Sequence, residues 1–309
     1  MHEADDEYGK PKEGLDIKDI TIPTPDGTTV EARLYKPSGA SDHLLPLYIH
    51  LRPGGWHLGT VESEEPFCAW LCATINQQRK PVAVLHVSYR CTPEHHYPTQ
   101  LDDVCAALAY LTKGSHAAGE LGVDANRIIL SGTSSGAHLS IGSMLRADAD
   151  LKKRVKGLIL TCTPTVHIDL FPFELLRSKE GSSYAQEAND VMLGLERGRI
   201  FWGLYLGAGG EDEAEVNRRK AEDVNSPLLA PDGLFGTSWP ATTVHVAGMD
   251  TARDEGFLFE EKLKRTGVDT RLHVYAGFPH AFNMLPQLEE SKRWRDTLLG
   301  DVAWLLERN

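Results

Sequence analysis

The sequence predicts an α/β protein in which a mostly parallel β-sheet carries helices on both faces. Two observations favour this fold class. Short apolar runs alternate along the chain with longer amphipathic stretches, and strands that alternate with helices tend to pair in parallel. The 309 residues are 41% hydrophobic and 25% charged, which is typical of a globular chain that buries a large core. We therefore expect a single domain over residues 1–309.

The chain begins with a predicted hairpin at 17–24 and 29–37, because Pro25-Asp26-Gly27 between the two runs is a turn signal. Apolar runs predict further strands at 45–51, 81–89, 127–131 and 155–161. Amphipathic stretches between them predict helices at 66–78, 101–111 and 137–146. Near the carboxyl end we expect strands at 241–247 and 271–275, a helix at 256–265 and a final helix with an apolar stripe at Trp294, Leu298, Val302 and Leu305.

The long stretch between the predicted strands that end at 161 and begin at 241 breaks this alternation. It holds Phe171-Pro172-Phe173 and a second aromatic run at 200–206. We interpret it as a mostly helical cap formed by about residues 165–225, joined by about residues 1–20. A long disordered insertion is the alternative, and the aromatic content argues against it.

The charge balance argues against two classes of partner. Lys and Arg total 32 and Asp and Glu total 44, so the net charge is −12. An acidic chain without a basic run is poorly suited to nucleic acid or to an anionic membrane surface. No apolar run approaches the roughly 20 residues of a membrane helix, and the acidic N-terminus lacks the apolar stretch of a signal peptide. We expect a cytoplasmic protein with no nucleic-acid or membrane partner.

The cysteine and histidine patterns point away from disulfide and metal frameworks. The five cysteines are odd in number and contain no C-x-x-C, which favours reduced thiols. His95 and His96 are adjacent, a spacing that does not place two ligands on one helix face, and no H-E-x-x-H occurs. The sequence also lacks G-x-x-x-x-G-K-[ST]. We expect neither a metal nor a cofactor.

A candidate nucleophile lies in G-T-S-S-G at residues 132–136, between a predicted strand and a predicted helix. Glycines two residues before and after Ser134 leave room for a sharp turn, and the following helix directs its N–H groups at developing negative charge. We predict Ser134 as the nucleophile, since Ser135 lacks such symmetric flanking glycines. The alternative is a glycine-rich turn with a capping serine.

A serine nucleophile needs a general base, and the base needs an acid that orients it. Of the 13 histidines, His280 lies in the loop just after the last predicted strand, whereas His273 lies within that strand. Asp250 follows the strand at 241–247, and Asp254 and Glu255 are expected at the start of the next helix. We predict His280 as base and Asp250 as its acid. The alternative for His280 is a loop histidine without a functional role, and the alternative for Asp250 is a turn residue at the surface.

A candidate oxyanion hole follows the strand at 45–51, in R-P-G-G-W at residues 52–56. Consecutive glycines let the backbone approach a ligand closely, so Gly54 and Gly55 can offer two adjacent N–H groups. The N–H group of Ser135, which follows the nucleophile, is the expected further donor. A simple Pro-Gly turn is the alternative.

Together these motifs resemble the hormone-sensitive-lipase-like carboxylesterases of the α/β-hydrolase fold. The family's loop motif is H-G-G-G-[FW], and Arg52 and Pro53 stand here for its histidine and first glycine. Residues 132–136 are closer to the family's G-T-S-A-G branch than to G-D-S-A-G. Residues 250–256 resemble D-P-L-R-D-E-G, and His280 begins an H-A-F where H-G-F is usual.

This resemblance implies an eight-stranded sheet with a helical cap and metal-independent ester hydrolysis through an acyl-enzyme. It implies that Ser134 attacks, that His280 takes and later returns the proton, and that Asp250 orients His280. The N–H groups that hold the oxyanion would be those of Gly54, Gly55 and Ser135.

The sequence leaves the substrate and the assembly open. We expect Trp56 to flank the nucleophile, and Phe201, Trp202 and Tyr205 either to line a pocket for the substrate or to form the core of the cap. A small or medium apolar ester is the expected substrate. The alternatives are a same-fold small-molecule receptor without turnover, and a hydrolase or cyclase that acts on an amide, a lactone or a polyketide-type compound. The sequence does not decide whether the protein forms a homodimer.

Overall fold

The architecture is an eight-stranded sheet, described by a computed structural model over residues 13–39, 43–78, 80–113 and 117–308. The strands are β1 (Leu15–Pro23), β2 (Thr29–Pro37), β3 (Leu45–Leu51), β4 (Ala83–Ser88), β5 (Val123–Thr133), β6 (Val155–Thr161), β7 (Ala241–Met249) and β8 (Thr270–Pro279). Their order across the sheet is β1-β2-β4-β3-β5-β6-β7-β8. β2 pairs antiparallel with β1 and with β4, and every other pair is parallel. The predicted fold class is confirmed.

Helices cover both faces of this sheet. Within the described residues they are α1 (Glu65–Gln77), α2 (Thr99–Thr112), α3 (Ala117–Leu121), α4 (Ser135–Arg146), α5 (Ala149–Arg154), α6 (Ser183–Gln186), α7 (Leu195–Leu206), α8 (Glu213–Lys220), α9 (Arg253–Arg265) and α10 (Glu289–Leu306). None of the helices in this part of the chain combines the length and the apolar character that crossing a bilayer requires.

Two apolar cores lie on the two faces of the sheet, because successive side chains of a strand point to opposite sides. On β3, Leu47 and Ile49 belong to the core that also holds residues of α2, α4 and α9. Tyr48, between them, belongs to the core beneath α1 and α10. All seven residues of β3 are buried, as expected for a central strand covered on both faces.

The parallel strands bring distant loops together. The carboxyl ends of parallel strands lie along one edge of a sheet, and the loops that leave those ends form the usual ligand-binding crevice of α/β proteins. β3, β5, β7 and β8 run parallel in this sheet, with β6 between β5 and β7. The loops after residues 51, 133, 249 and 279 therefore meet at one edge.

The structure shifts several predicted boundaries. β5 begins at Val123 rather than 127, because its first residues pair with β3 before a shift in register. Residues 15–20 belong to the segment predicted to join the cap, but they lie in β1, and residues 1–12 are outside the described residues. Between β6 and β7 lie α6, α7, α8 and three isolated 3₁₀ turns. The assignment of 165–225 as a cap stays a prediction.

Candidate active site

The turn between β5 and α4 holds Ser134 in an unusual conformation. Its φ is 53° and its ψ is −120°, in the positive-φ region that non-glycine residues rarely occupy. Its N–H group donates to the Thr161 carbonyl of β6 at 2.8 Å, and its carbonyl accepts from the His138 N–H at 3.0 Å. These backbone bonds hold the residue at the tip of the strand–turn–helix that the motif predicts.

Gly132 and Gly136, on either side of Ser134, have no room for a side chain. A Cβ atom on Gly132 would lie 2.2 Å from the Gly136 carbonyl carbon, and one on Gly136 would lie 2.1 Å from the Leu51 carbonyl oxygen. Both distances are far below van der Waals contact. The second also shows that the start of α4 packs directly against the end of β3, so the nucleophile turn and the candidate oxyanion loop lie side by side.

Three predicted side chains meet at this edge in one hydrogen-bonded chain. The Ser134 hydroxyl donates to His280 Nε2 at 2.8 Å, and His280 Nδ1 donates to the Asp250 carboxylate at 2.8 Å, with the imidazole tautomer assigned from its partners. Their exposed fractions are 7%, 5% and 1% for Ser134, His280 and Asp250. The other Asp250 oxygen accepts from the Ala252 N–H at 2.8 Å, which fixes the carboxylate.

The environment of His280 suits a general base. Burial disfavours the imidazolium and lowers the pKa of His280, but the charge and hydrogen bond of Asp250, together with the charges of Asp190 and Glu255, outweigh this effect. The result is a pKa above the ordinary histidine value. A more basic imidazole accepts the serine proton more readily, provided that it is neutral in the resting state.

The candidate oxyanion loop leaves its N–H groups available. Gly54 and Gly55 have φ values of 123° and 61°, which glycine adopts without strain and other residues adopt only rarely. The Gly54 carbonyl accepts from the His57 and Leu58 N–H groups at 3.0 and 2.9 Å, which closes the loop into a turn. Within the described residues, no acceptor is found for the N–H groups of Gly54, Gly55 or Ser135.

Arg52 replaces the histidine that the resembled family carries at this position, and the structure gives it a positioning role. Its side chain is almost fully buried, with its residue 1% exposed. Nε donates to the Leu58 carbonyl at 3.1 Å and Nη2 to the Tyr89 carbonyl at 2.7 Å. The guanidinium lies 4.0 Å from the centre of the Tyr89 ring, and the Tyr89 hydroxyl donates to the Arg52 carbonyl at 2.9 Å. Arg52 therefore ties the two ends of the loop to the chain that follows β4.

Three of the four predicted substrate-binding residues line a cavity beside Ser134. Gly55, Trp56, Phe201 and Trp202 line it together with Ser134. Tyr205 does not line it. That ring lies behind Trp56, stacked at 4.3 Å between centroids, and is fully buried. The prediction of Tyr205 as a substrate contact is therefore corrected to a packing role, because α7 turns this side chain away from the cavity.

Glu255 also lines the cavity, although the sequence predicts it only at the start of a helix. It does lie in the first turn of α9, yet its carboxylate points inward. The carboxylate accepts from the Thr165 and Val166 N–H groups at 2.6 and 3.1 Å and from the Tyr184 hydroxyl at 2.7 Å. Burial raises the pKa of Glu255 to about 7. The sequence indicates only that Glu255 is a charged residue near the start of a helix. That position does not show whether the side chain points into the protein or into solvent.

Comparison with known proteins places these features in a family. The sequence profile of a family described as an alpha/beta hydrolase fold matches residues 47–284. Versiconal hemiacetal acetate esterase of Dothistroma septosporum is 28% identical over 94% of this chain and 81% of its own length. Carboxylic ester hydrolase LipN of Mycobacterium tuberculosis is 31% identical over 90% of this chain and 67% of its own length.

A solved structure has a similar overall fold. The carboxylesterase EstE1, cloned from a metagenomic library, superposes with a TM-score of 0.79 at 25% identity. The superposition covers 99% of this chain and 96% of the other.

Proposed function

Because this chain belongs to the alpha/beta hydrolase fold family, we propose that it cleaves carboxylic esters through an acyl-enzyme formed on Ser134. The chain is a carboxylic ester hydrolase, and its relatives named above are esterases. The observation that carries the assignment of roles is the chain of two 2.8 Å hydrogen bonds from Ser134 through His280 to Asp250.

In acylation, the Ser134 oxygen attacks the ester carbonyl carbon while its proton passes to His280 Nε2. Asp250 stabilises the imidazolium that forms, through the bond to Nδ1. The N–H groups of Gly54, Gly55 and Ser135 hold the negative oxygen of the tetrahedral intermediate, and loss of one such donor costs on the order of 10²–10³ in rate. His280 then gives its proton to the leaving alcohol as the carbon–oxygen bond breaks.

In deacylation, water replaces the alcohol. His280 removes a proton from the water, which attacks the acyl carbon, and the same N–H groups hold the second oxyanion. The proton returns from His280 to Ser134 as the ester bond to the enzyme breaks. The carboxylic acid leaves, and the resting hydrogen bonds are restored.

The substrate class follows from the walls of the cavity. Besides the aromatic side chains, its lining includes Ile168, Leu193 and Leu195, so the acyl group meets mostly apolar surface. The space in the cavity that lies outside protein atoms is about 430 Å³, part of it open to solvent. A small or medium ester fits such a space, whereas a long acyl chain requires the walls to move. We therefore assign the chain to small or medium apolar esters.

The segment 165–225 forms the cap over this cavity. Phe201 and Trp202 on α7 supply one wall, and Trp202 lies 4.7 Å from Trp56 of the oxyanion loop between ring centres. Tyr184 on α6 reaches Glu255 below. Substitutions in this segment therefore change substrate preference without touching the triad.

A p-nitrophenyl ester series tests the proposal, run on the wild type and on Ser134→Ala. We expect hydrolysis that declines as the acyl chain lengthens, and loss of both hydrolysis and fluorophosphonate labelling in Ser134→Ala. A wild type that is inert to every ester and unlabelled would contradict the proposal and favour a receptor on the same scaffold.

The cellular location and the assembly complete the proposal. The five cysteines are all unpaired, which supports a reducing compartment such as the cytoplasm.

β8 is an edge strand with Leu272 and Val274 each 39% exposed, which supports pairing of two chains at that edge. Sedimentation velocity tests the homodimer directly.

A further inference from the structure

A second cluster of titratable side chains lies inside the same half of the sheet, apart from the triad. His245 on β7 and His273 on β8 are direct partners in the parallel register. Asp301 on α10 lies against both and is buried. One ring nitrogen of each histidine and one carboxylate oxygen all lie within 4.8 Å of one another.

The geometry of this cluster fits an ion better than it fits hydrogen bonds. His245 Nε2 and His273 Nε2 each lie 3.0 Å from Asp301 Oδ2. That oxygen is nevertheless buried without a hydrogen-bond partner in the described chain. The bonds that Asp301 does accept reach Oδ1, from His273 and Arg271, and both are 3.3 Å long. Charge-assisted bonds are usually about 2.7–2.9 Å.

Three ligand atoms that lie within 4.8 Å of one another, with the carboxylate oxygen 3.0 Å from each nitrogen, can surround one zinc ion, whose bonds to nitrogen and oxygen are about 2.0–2.2 Å. Two imidazoles and one carboxylate are a familiar zinc set that leaves one position for water. The His273 side chain is 27% exposed, which gives an ion a route from solvent.

The surroundings of His245 also suit a metal ligand. His245 Nδ1 lies 2.9 Å from the Tyr275 hydroxyl, and a ligating histidine typically bonds an outer partner through its other nitrogen.

We propose that His245, His273 and Asp301 bind a divalent transition-metal ion of the zinc class, with a structural rather than a catalytic role. The ion would join β7, β8 and α10. Asp250 follows β7 and His280 follows β8, so the site braces the two strands that carry the candidate acid and base. Nothing in ester cleavage passes through this ion.

The test is a titration of the chelator-treated full chain with ZnCl₂ by calorimetry and by thermal unfolding. We expect about one equivalent bound and a rise of several degrees in Tm, since a ligand that binds only the folded state stabilises it. His273→Ala should lose both effects. His95→Ala, a half-buried histidine elsewhere, should keep both.

Two further variants separate a metal site from a hydrogen-bond cluster. His273→Cys should still bind zinc, because a thiolate ligates it, although it cannot reproduce the imidazole bonds. Arg271→Gln should bind zinc several-fold more tightly, because it removes a cation from Asp301 Oδ1.

Among the residues that the structure describes, one other set must be excluded as the metal site, because Cys162, Asp250 and His280 also bring ligand atoms within 4.8 Å of one another. With Co²⁺ as the probe, the wild type should lack a thiolate charge-transfer band and His273→Cys should gain one. No zinc binding by the wild type would overturn the proposal. So would binding that survives His273→Ala but is lost in Cys162→Ser.

Discussion

The Tyr184 hydroxyl donates a 2.7 Å hydrogen bond to the Glu255 carboxylate, and Glu255 is part of the wall of the cavity beside Ser134. The same carboxylate accepts from two backbone N–H groups of the loop after β6. A single buried side chain at the start of α9 therefore joins the segment between β6 and β7 to the floor of the candidate active site. The protonation state of Glu255 therefore affects the stability of the fold around the candidate active site.

We expect Glu255 to make the chain less stable as the pH rises. Burial raises its pKa to about 7 from 4.5, so between these values the folded chain keeps a proton that the unfolded chain has released. The free energy of unfolding then falls as the pH rises through that window, by up to about 3 kcal/mol. Glu255→Gln removes the ionisable group and should flatten this dependence in urea unfolding at about pH 5 and about pH 8.

Glu261→Gln is the matched control, because Glu261 is exposed on the same helix. It should leave the pH dependence unchanged. If Glu255→Gln unfolds with the same pH dependence as the wild type, the titrating group lies elsewhere.

The pH–rate profile should report His280. Only the neutral imidazole accepts the serine proton, so kcat/KM should rise with pH through a midpoint above the ordinary histidine pKa of 6.5. Asp250→Asn removes the carboxylate that raises this pKa, so the midpoint should move to lower pH and the plateau should fall by about 10⁴. Asp296→Asn, on an exposed face of α10, should change neither. An unmoved midpoint in Asp250→Asn would show that another group sets the acid limb.

Gly55→Ala should disturb the site through Phe201. At φ +61° a Cβ atom on residue 55 would lie 2.6 Å from the Phe201 ring, so the loop, the ring or both must shift. We expect kcat/KM to fall by about 10–10², because N–H donors displaced by about 1 Å lose much of their effect. Gly27→Ala is the control, since its φ is +81° and nothing lies within 4 Å.

A Phe201→Ala substitution in the Gly55→Ala background should restore part of the lost rate if contact with the ring is the cause. An equally slow double variant would assign the effect to backbone strain alone.

Arg52→Met should weaken both stability and catalysis. Methionine fills similar space but leaves the carbonyls of Leu58 and Tyr89 without their donors, at about 1–3 kcal/mol for each unpaired group. We expect a lower denaturation midpoint and at least a tenfold loss of kcat in the folded fraction, because the loop that holds Gly54 and Gly55 is released. Arg154→Met, which removes an i,i+4 ion pair with Asp150 and a hydrogen bond to Asn126 near the surface, should cost about 1 kcal/mol or less. Full activity in Arg52→Met would show that the candidate oxyanion loop keeps its conformation without the Arg52 side chain.

The sequence alone was sufficient for the sheet, the nucleophile turn and the loops that carry Asp250 and His280. Each depends on short-range patterns: apolar runs for buried strands, two glycines around Ser134 for a turn too tight for a Cβ atom, and polar residues directly after strands. Because parallel strands end at one edge, the positions of Asp250 and His280 along the chain also predicted their meeting in space.

Only the tertiary structure decided where side chains on packed elements point. Phe201 and Tyr205 lie on the same helix, yet α7 directs one to the cavity and buries the other behind Trp56. Glu255 faces inward and Arg52 is buried because loops distant in sequence supply their partners. Periodicity along one segment carries no record of which other segments pack against it, so these orientations, and the convergence of His245 and His273 on Asp301, arise only when the elements assemble.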